Sequence, residues 1–143
     1  LNNSEIPDSL YRGIHLINLF MEFTQSISKC FKHFSDFEGR ASRSEFWWFF
    51  LFSCIVSIVA VFLDELFGSW ITPEWGMFDV MSTIILMLPQ LAVGSRRLHD
   101  LGRSGWWQLL YLTIIGIILL IIWFATDGAK KNNQFGKPIK IKK

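Results

Sequence analysis

Arg96, Arg97, His99, Asp100 and Arg103 fall within eight residues, in the stretch "GSRRLHDLGRSG". Guanidinium groups this close can grip a phosphate or carboxylate through paired N–H donors. The adjacent His99 and Asp100 suggest a proton-transfer pair, but neighbouring side chains rarely aim at one reacting atom. The sequence holds no nucleophile elbow, metal-ligand spacing or phosphate-cradling glycine loop. An enzyme is therefore not expected, and neither cofactor nor metal is. A second polar set, Arg40, Arg43 and Glu45, lies in "EGRASRSEFWWFFLF". Brought together, the eight side chains would form a basic cluster able to hold an anionic lipid head group or a protein partner. They could equally pair among themselves, Glu45 and Asp100 with the arginines, and lock the surrounding elements together.

The elements that must position these groups are apolar. The chain has 143 residues, 51% of them hydrophobic and only 18% charged, against about 25% charged in typical soluble domains. With 14 Phe and 7 Trp, that composition points to lipid as the solvent. A net charge of +2 is too small to argue for nucleic acid. Three runs approach the roughly 20 apolar residues needed to span a bilayer: about 46–63, 77–93 and 106–124. The second carries Asp79 near its start and Pro89, which should kink it. Ahead of them Leu10, Ile14, Ile17, Met21, Ile27, Phe31 and Phe34 recur at helical spacing. They mark an amphipathic helix that lies in the membrane interface or packs on a partner. The expected fold is thus all-α: an integral membrane bundle of three transmembrane helices preceded by an amphipathic interfacial helix. Its segments are 1–36, a membrane domain over 37–138, and a basic end from 139 to 143. Cys30 and Cys54 are expected as free thiols.

Lysine and arginine favour the cytoplasmic side. That rule places the amino-terminal region and the arginine-rich stretch inside and the acidic segment 64–76, which holds Pro73, outside. The tail from Ala125, expected to be poorly ordered, creates a conflict, because three full crossings carry its six lysines outside. Three crossings are the expectation; a hairpin re-entering at Gly116 is the alternative.

Ser42-x-x-Glu45 reads as a capping box opening the first span. Gly39 allows a bend before it, and Ser104 caps the third run. Trp47 and Trp48, echoed by Trp106 and Trp107, would anchor both junctions at head-group depth.

In order, "GRASRSEFWWF", "LPQLAVGSRRLHDLGRSGWW" and "NNQFGKP" resemble the bacterial inner-membrane family called domain of unknown function 805. The resemblance runs from about Phe34 to Pro138. It implies a small multi-span protein of the bacterial cytoplasmic membrane, with no established activity. Members often carry a proline shortly before the glycine of the third run; "LTIIG" has none, which counts against a hairpin there. Anionic membrane lipids, a second copy or a membrane protein are the expected partners, and a small oligomeric transporter or channel component is the alternative function.

Overall fold

The computed structural model describes residues 8–67 and 76–139. Pro73 and most of the acidic segment, and the basic end from 140, lie outside the described residues. The described residues form four α-helices and one 3-10 helix: α1 (Asp8–Lys32), α2 (Arg43–Phe67), α3 (Met77–Asp100), the 3-10 helix Gly105–Leu112, and α4 (Ile114–Ala125).

α2 and α3 are long and apolar enough to cross a membrane. At 1.5 Å per residue each is roughly 36 Å long, more than a hydrocarbon core of about 30 Å. They run antiparallel, as contacts at three levels show. The Asp64 carboxylate near the end of α2 accepts from the N–H groups of Phe78 (3.0 Å) and Asp79 (2.9 Å) at the start of α3. Ser53 meets Gln90 at 3.4 Å midway. Glu45 meets Arg96 at 3.0 Å at the other end. Asp64 supplies what lipid cannot: acceptors for the free N–H groups of a helix start. Gly76 is needed there, because a Cβ would collide with that carboxylate.

The stretch Gly94–Asp100, beyond the apolar run expected to end at 93, is the last two turns of α3, and every residue in it is buried. Its charges have partners on neighbouring elements, so nothing draws the backbone out into solvent. The helix ends at Gly102, whose φ of 74° is in the left-handed region. Gly102 N–H donates to His99 O and Arg103 N–H to Leu98 O, each at 2.9 Å, closing a Schellman ending.

The third apolar run is not one continuous helix over 106–124. It breaks at Thr113. There the side chain accepts from Gly116 N–H at 3.1 Å and donates to Leu110 O at 3.2 Å. The two short helices fold back on each other, with Trp107 edge-on to Trp123 at 5.6 Å. α1 is helical as its periodicity predicts. Its second half packs on the start of α2 through Phe23–Trp48 and Phe31–Phe49, both 5.6 Å. Its first half leaves Leu16, Ile17 and Phe20 more than 60% exposed. Cys30, in the last turn of α1, is buried, and both thiols are free. The described part of the tail, expected to be poorly ordered, packs against this end of the bundle, where Arg40 and Asp100 bond its backbone.

Candidate functional site: the arginine-bearing end

Both predicted polar sets meet at one end of the bundle, where α2 begins and α3 ends. Asp100 is the centre of the first knot. Arg97 Nη1 donates to Asp100 Oδ2 at 2.5 Å, and Arg40 Nε to Oδ1 at 2.7 Å. All three side chains are buried. Arg40 also donates to the carbonyls of Ala129 (2.5 Å), Lys131 (3.2 Å) and Gly136 (3.3 Å). Arg97 reaches Phe124 O at 3.3 Å and also donates to Thr126 O. These last carbonyls of α4 form the negative end of its dipole, and a guanidinium is the natural partner for them. Trp47 Nε1 shares Phe124 O at 3.3 Å. A Cβ at Gly128 would collide with the Asp100 carboxylate, so only glycine lets the tail come this close.

Glu45 is the centre of the second knot. It accepts from Arg96 Nη1 at 3.0 Å and from Lys29 Nζ at 2.5 Å. Half of the expected capping box forms: the Glu45 N–H donates to Ser42 Oγ at 3.1 Å. The other half does not, because the carboxylate is taken by the two cations. Ala41 N–H donates to Arg96 O at 2.9 Å, fixing the entry to α2 after the bend at Gly39, whose φ is 75°. Burial, with Glu45 beside it, pushes the Cys30 thiol up to about 12.

The predicted residues thus divide. Arg40, Arg96, Arg97, Glu45 and Asp100 turn inward. Arg43 stays at the surface, paired with Asp127 at 2.9 Å. Arg103 is exposed and lies over the Trp123 ring at 3.9 Å, a cation–π contact. His99 is buried: Nδ1 meets Gly39 O at 3.1 Å and the ring stacks on Phe135 at 3.8 Å. Asn133 Nδ2 donates to His99 O at 2.8 Å. Trp47 and Trp48 are half-buried against the protein, whereas Trp106 (79%) and Trp107 (47%) are exposed. Sequence reasoning missed Lys29 and Asp127 as ion-pair partners. Their only signal was a charge beside an apolar segment.

The family described as protein of unknown function (DUF805) matches residues 34–137. The chain is 37% identical over 114 residues to the inner membrane protein YhaH of Escherichia coli (strain K12), covering 79% of this chain and 94% of that one. It is 36% identical over 111 residues to the inner membrane protein YhaI of the same strain, covering 77% and 91%. No solved structure matches. Both knots' carboxylates and the five arginines of the predicted cluster fall inside the matched region, and all of α1 lies before it. With two helices of membrane length and relatives of this kind, the chain is an inner-membrane protein and belongs to the protein family of unknown function DUF805.

Proposed function

We propose that this chain is a non-catalytic membrane protein that crosses the bilayer twice, inserts its third apolar run as a half-depth hairpin, and binds anionic lipid head groups at its cytoplasmic rim. One observation carries the topology. Both ends of the third run contact the same end of α3: Gly105 abuts Ser95, and Phe124 and Thr126 accept from Arg97. Helices of eight and 12 residues rise roughly 16 and 18 Å, about half of a hydrocarbon core. Thr113 satisfies the turn's backbone from within, which lipid requires. The exposed tip residues Leu112, Ile114 and Ile115 are apolar. This arrangement removes the charge conflict, since Lys130, Lys131 and Lys137 join the other cations on one side.

Lipid binding falls to the cations that the knots leave exposed, Arg43 and Arg103, beside the exposed Trp106 and Trp107. The transporter alternative draws no support from Asp79. It lies in the first turn of α3, at the end away from the knots, where Asp64 caps the helix.

Two measurements test the reading. In a Cys30→Ser, Cys54→Ser background, Lys137→Cys should resist an impermeant maleimide in intact cells and react after permeabilisation. Labelling of intact cells would overturn the hairpin. The doubly substituted Arg43→Ala, Arg103→Ala protein should lose its preference for phosphatidylglycerol over phosphatidylcholine in native mass spectrometry. A preserved preference would overturn the rim assignment.

A further inference from the structure

The ionic knots leave unused a cleft between the second half of α3 and the 3-10 helix. Its volume is about 450 Å³, and its lining includes Phe37, Leu91, Ser95, His99, Trp106 and Leu109. That is within the range of small-molecule sites. From His99 to Leu91 the α3 wall runs about 12 Å, and from Ser104 to Leu109 the opposite wall runs about 10 Å. The cleft is therefore a slot along the bundle axis, with Leu91 and Leu109 at its deep end.

Its chemistry is graded in the same direction. No lining residue is an acid, a lysine or an arginine. Near the mouth, the Gly39 carbonyl can only accept, so the imidazole proton is on Nδ1 of His99 and Nε2 is left as an acceptor. Ser95 is also buried. Ser95 and His99 both line the cleft and can offer their polar atoms to an occupant; among the described residues the buried side-chain atoms without a hydrogen-bond partner are Arg96 Nε and Nη2, outside this lining. Trp106 adds an exposed indole N–H. Arg103, the residue before Ser104, is an exposed cation that does not line the cleft; its guanidinium lies over the Trp123 ring at 3.9 Å. The deep end is mainly hydrocarbon, and the one amide there, Gln108, donates to Leu91 O and Gly105 O; uncharged donors and acceptors follow towards the mouth, and Arg103 is the nearest cation in the chain beyond it. A glycerophospholipid has the matching order: acyl chain, ester and glycerol, phosphate.

We propose that this cleft holds one acyl chain of a single anionic glycerophospholipid. The ester and glycerol region meets Ser95, His99 and Trp106, and the phosphate turns to Arg103. The slot lies along the direction in which acyl chains already run, so the occupant needs no reorientation. The proposal rests on the lipid reading above and adds a defined stoichiometry and seat.

The test is native mass spectrometry of the full chain in detergent with added phosphatidylglycerol or phosphatidylcholine. Leu109→Trp fills the deep end from a position that is 61% exposed. Retention of one phosphatidylglycerol should fall about ten-fold, the equivalent of roughly 1.4 kcal/mol. Leu112→Trp, at the hairpin tip and 83% exposed, should leave retention unchanged. Ser95→Ala, which fits the existing space, should lower it without altering thermal stability. Wild-type retention in both Leu109→Trp and Ser95→Ala overturns the cleft, even if the arginine variants still abolish head-group preference. Loss of both lipids in Leu109→Trp, with head-group preference intact in the arginine variants, keeps the acyl-chain seat and overturns both the rim and the phosphate contact with Arg103. Equal loss in Leu109→Trp and Leu112→Trp also overturns the cleft, since the effect would then belong to the surface.

Discussion

The two halves of α3 have opposite surroundings. Between Met77 and Leu91, side chains such as Met81, Ile84, Ile85 and Met87 are more than half exposed. From Ala92 to Asp100 every residue is buried, including Arg96, Arg97 and Asp100. In water this helix would be inside out. In a bilayer the pattern follows from the solvent. Lipid tails are as apolar as a leucine, so exposing Ile84 costs nothing, whereas a charge must find partners inside the protein. The first half can therefore tolerate change on its outer face, and the second cannot.

Asp100→Asn is the most severe way to break that contrast. It leaves Arg40 and Arg97 buried without a counter-charge, and removing one partner of a buried pair costs about 3–5 kcal/mol. Thermal unfolding in micelles should show that loss, while Ile84→Ala in the lipid-level half should stay within about 0.5 kcal/mol, as for an ordinary surface change. Equal losses would mean that the knot carries no special weight.

Next in size is the far end of α3. Asp64→Ala removes the acceptors of two N–H groups at once, and losing a helix cap costs about 1–2 kcal/mol. Asp64→Asn, which retains one acceptor oxygen, should recover part of it in the same unfolding experiment. Thr113→Val keeps the shape of the hairpin turn but drops its cap, at about 1 kcal/mol. Its sharper readout is topology: a loosened turn should increase labelling of a cysteine at position 137 in intact cells.

Much of the arginine-bearing end is legible in the residues themselves. Ser42 capping Glu45, the bend at Gly39 and pairing of Glu45 and Asp100 with arginines all follow from side-chain chemistry and the nearness of lipid. What is not legible is the tail's part in it. Arg40 is held by the carbonyls of Ala129, Lys131 and Gly136, and a carbonyl carries no residue identity. The extension of α3 through Asp100 was hidden for a related reason, since "GSRRLHD" looks solvated until its partners are in place. The absence of proline from "LTIIG" argued against a hairpin, yet Thr113 achieves the turn by capping Gly116 with its own hydroxyl. The hydrogen bonds of one side chain, Thr113 to Gly116 N–H and to Leu110 O, accompany the break, and periodicity does not register them.

Cys30 sharpens the comparison from the α1 side of the Glu45 knot. Its thiol is pushed from 9.0 to about 12, chiefly by burial. Because the folded value is the higher one, the neutral thiol favours folding fully below pH 9, and this contribution is lost as pH rises towards 12. In a Cys54→Ser protein, alkylation at pH 8 should be far slower in the native state than in the unfolded chain, because only the thiolate reacts. Glu45→Gln should speed it by loosening the packing of α1 on α2. A native rate equal to the unfolded one would mean that α1 does not stay docked at this end.

The smallest expected effect is the most discriminating. Arg43 is in the same opening stretch as Arg40 and also bonds the end of α4, at Ala125 O. Its side chain and that of Asp127 are more than half exposed, and a pair of this kind contributes only about 0–1 kcal/mol. Arg43→Ala should therefore shift thermal stability by less than about 0.5 kcal/mol, and added salt should remove what shift there is. Arg40→Ala, three residues earlier, should cost several times more and be insensitive to salt, since its carboxylate partner is buried. If Arg43→Ala proved as damaging as Arg40→Ala, the division between inward, structural arginines and outward, exposed ones would fail. Arg43 would then have to be counted with the knot, and the rim would keep only Arg103 for lipid.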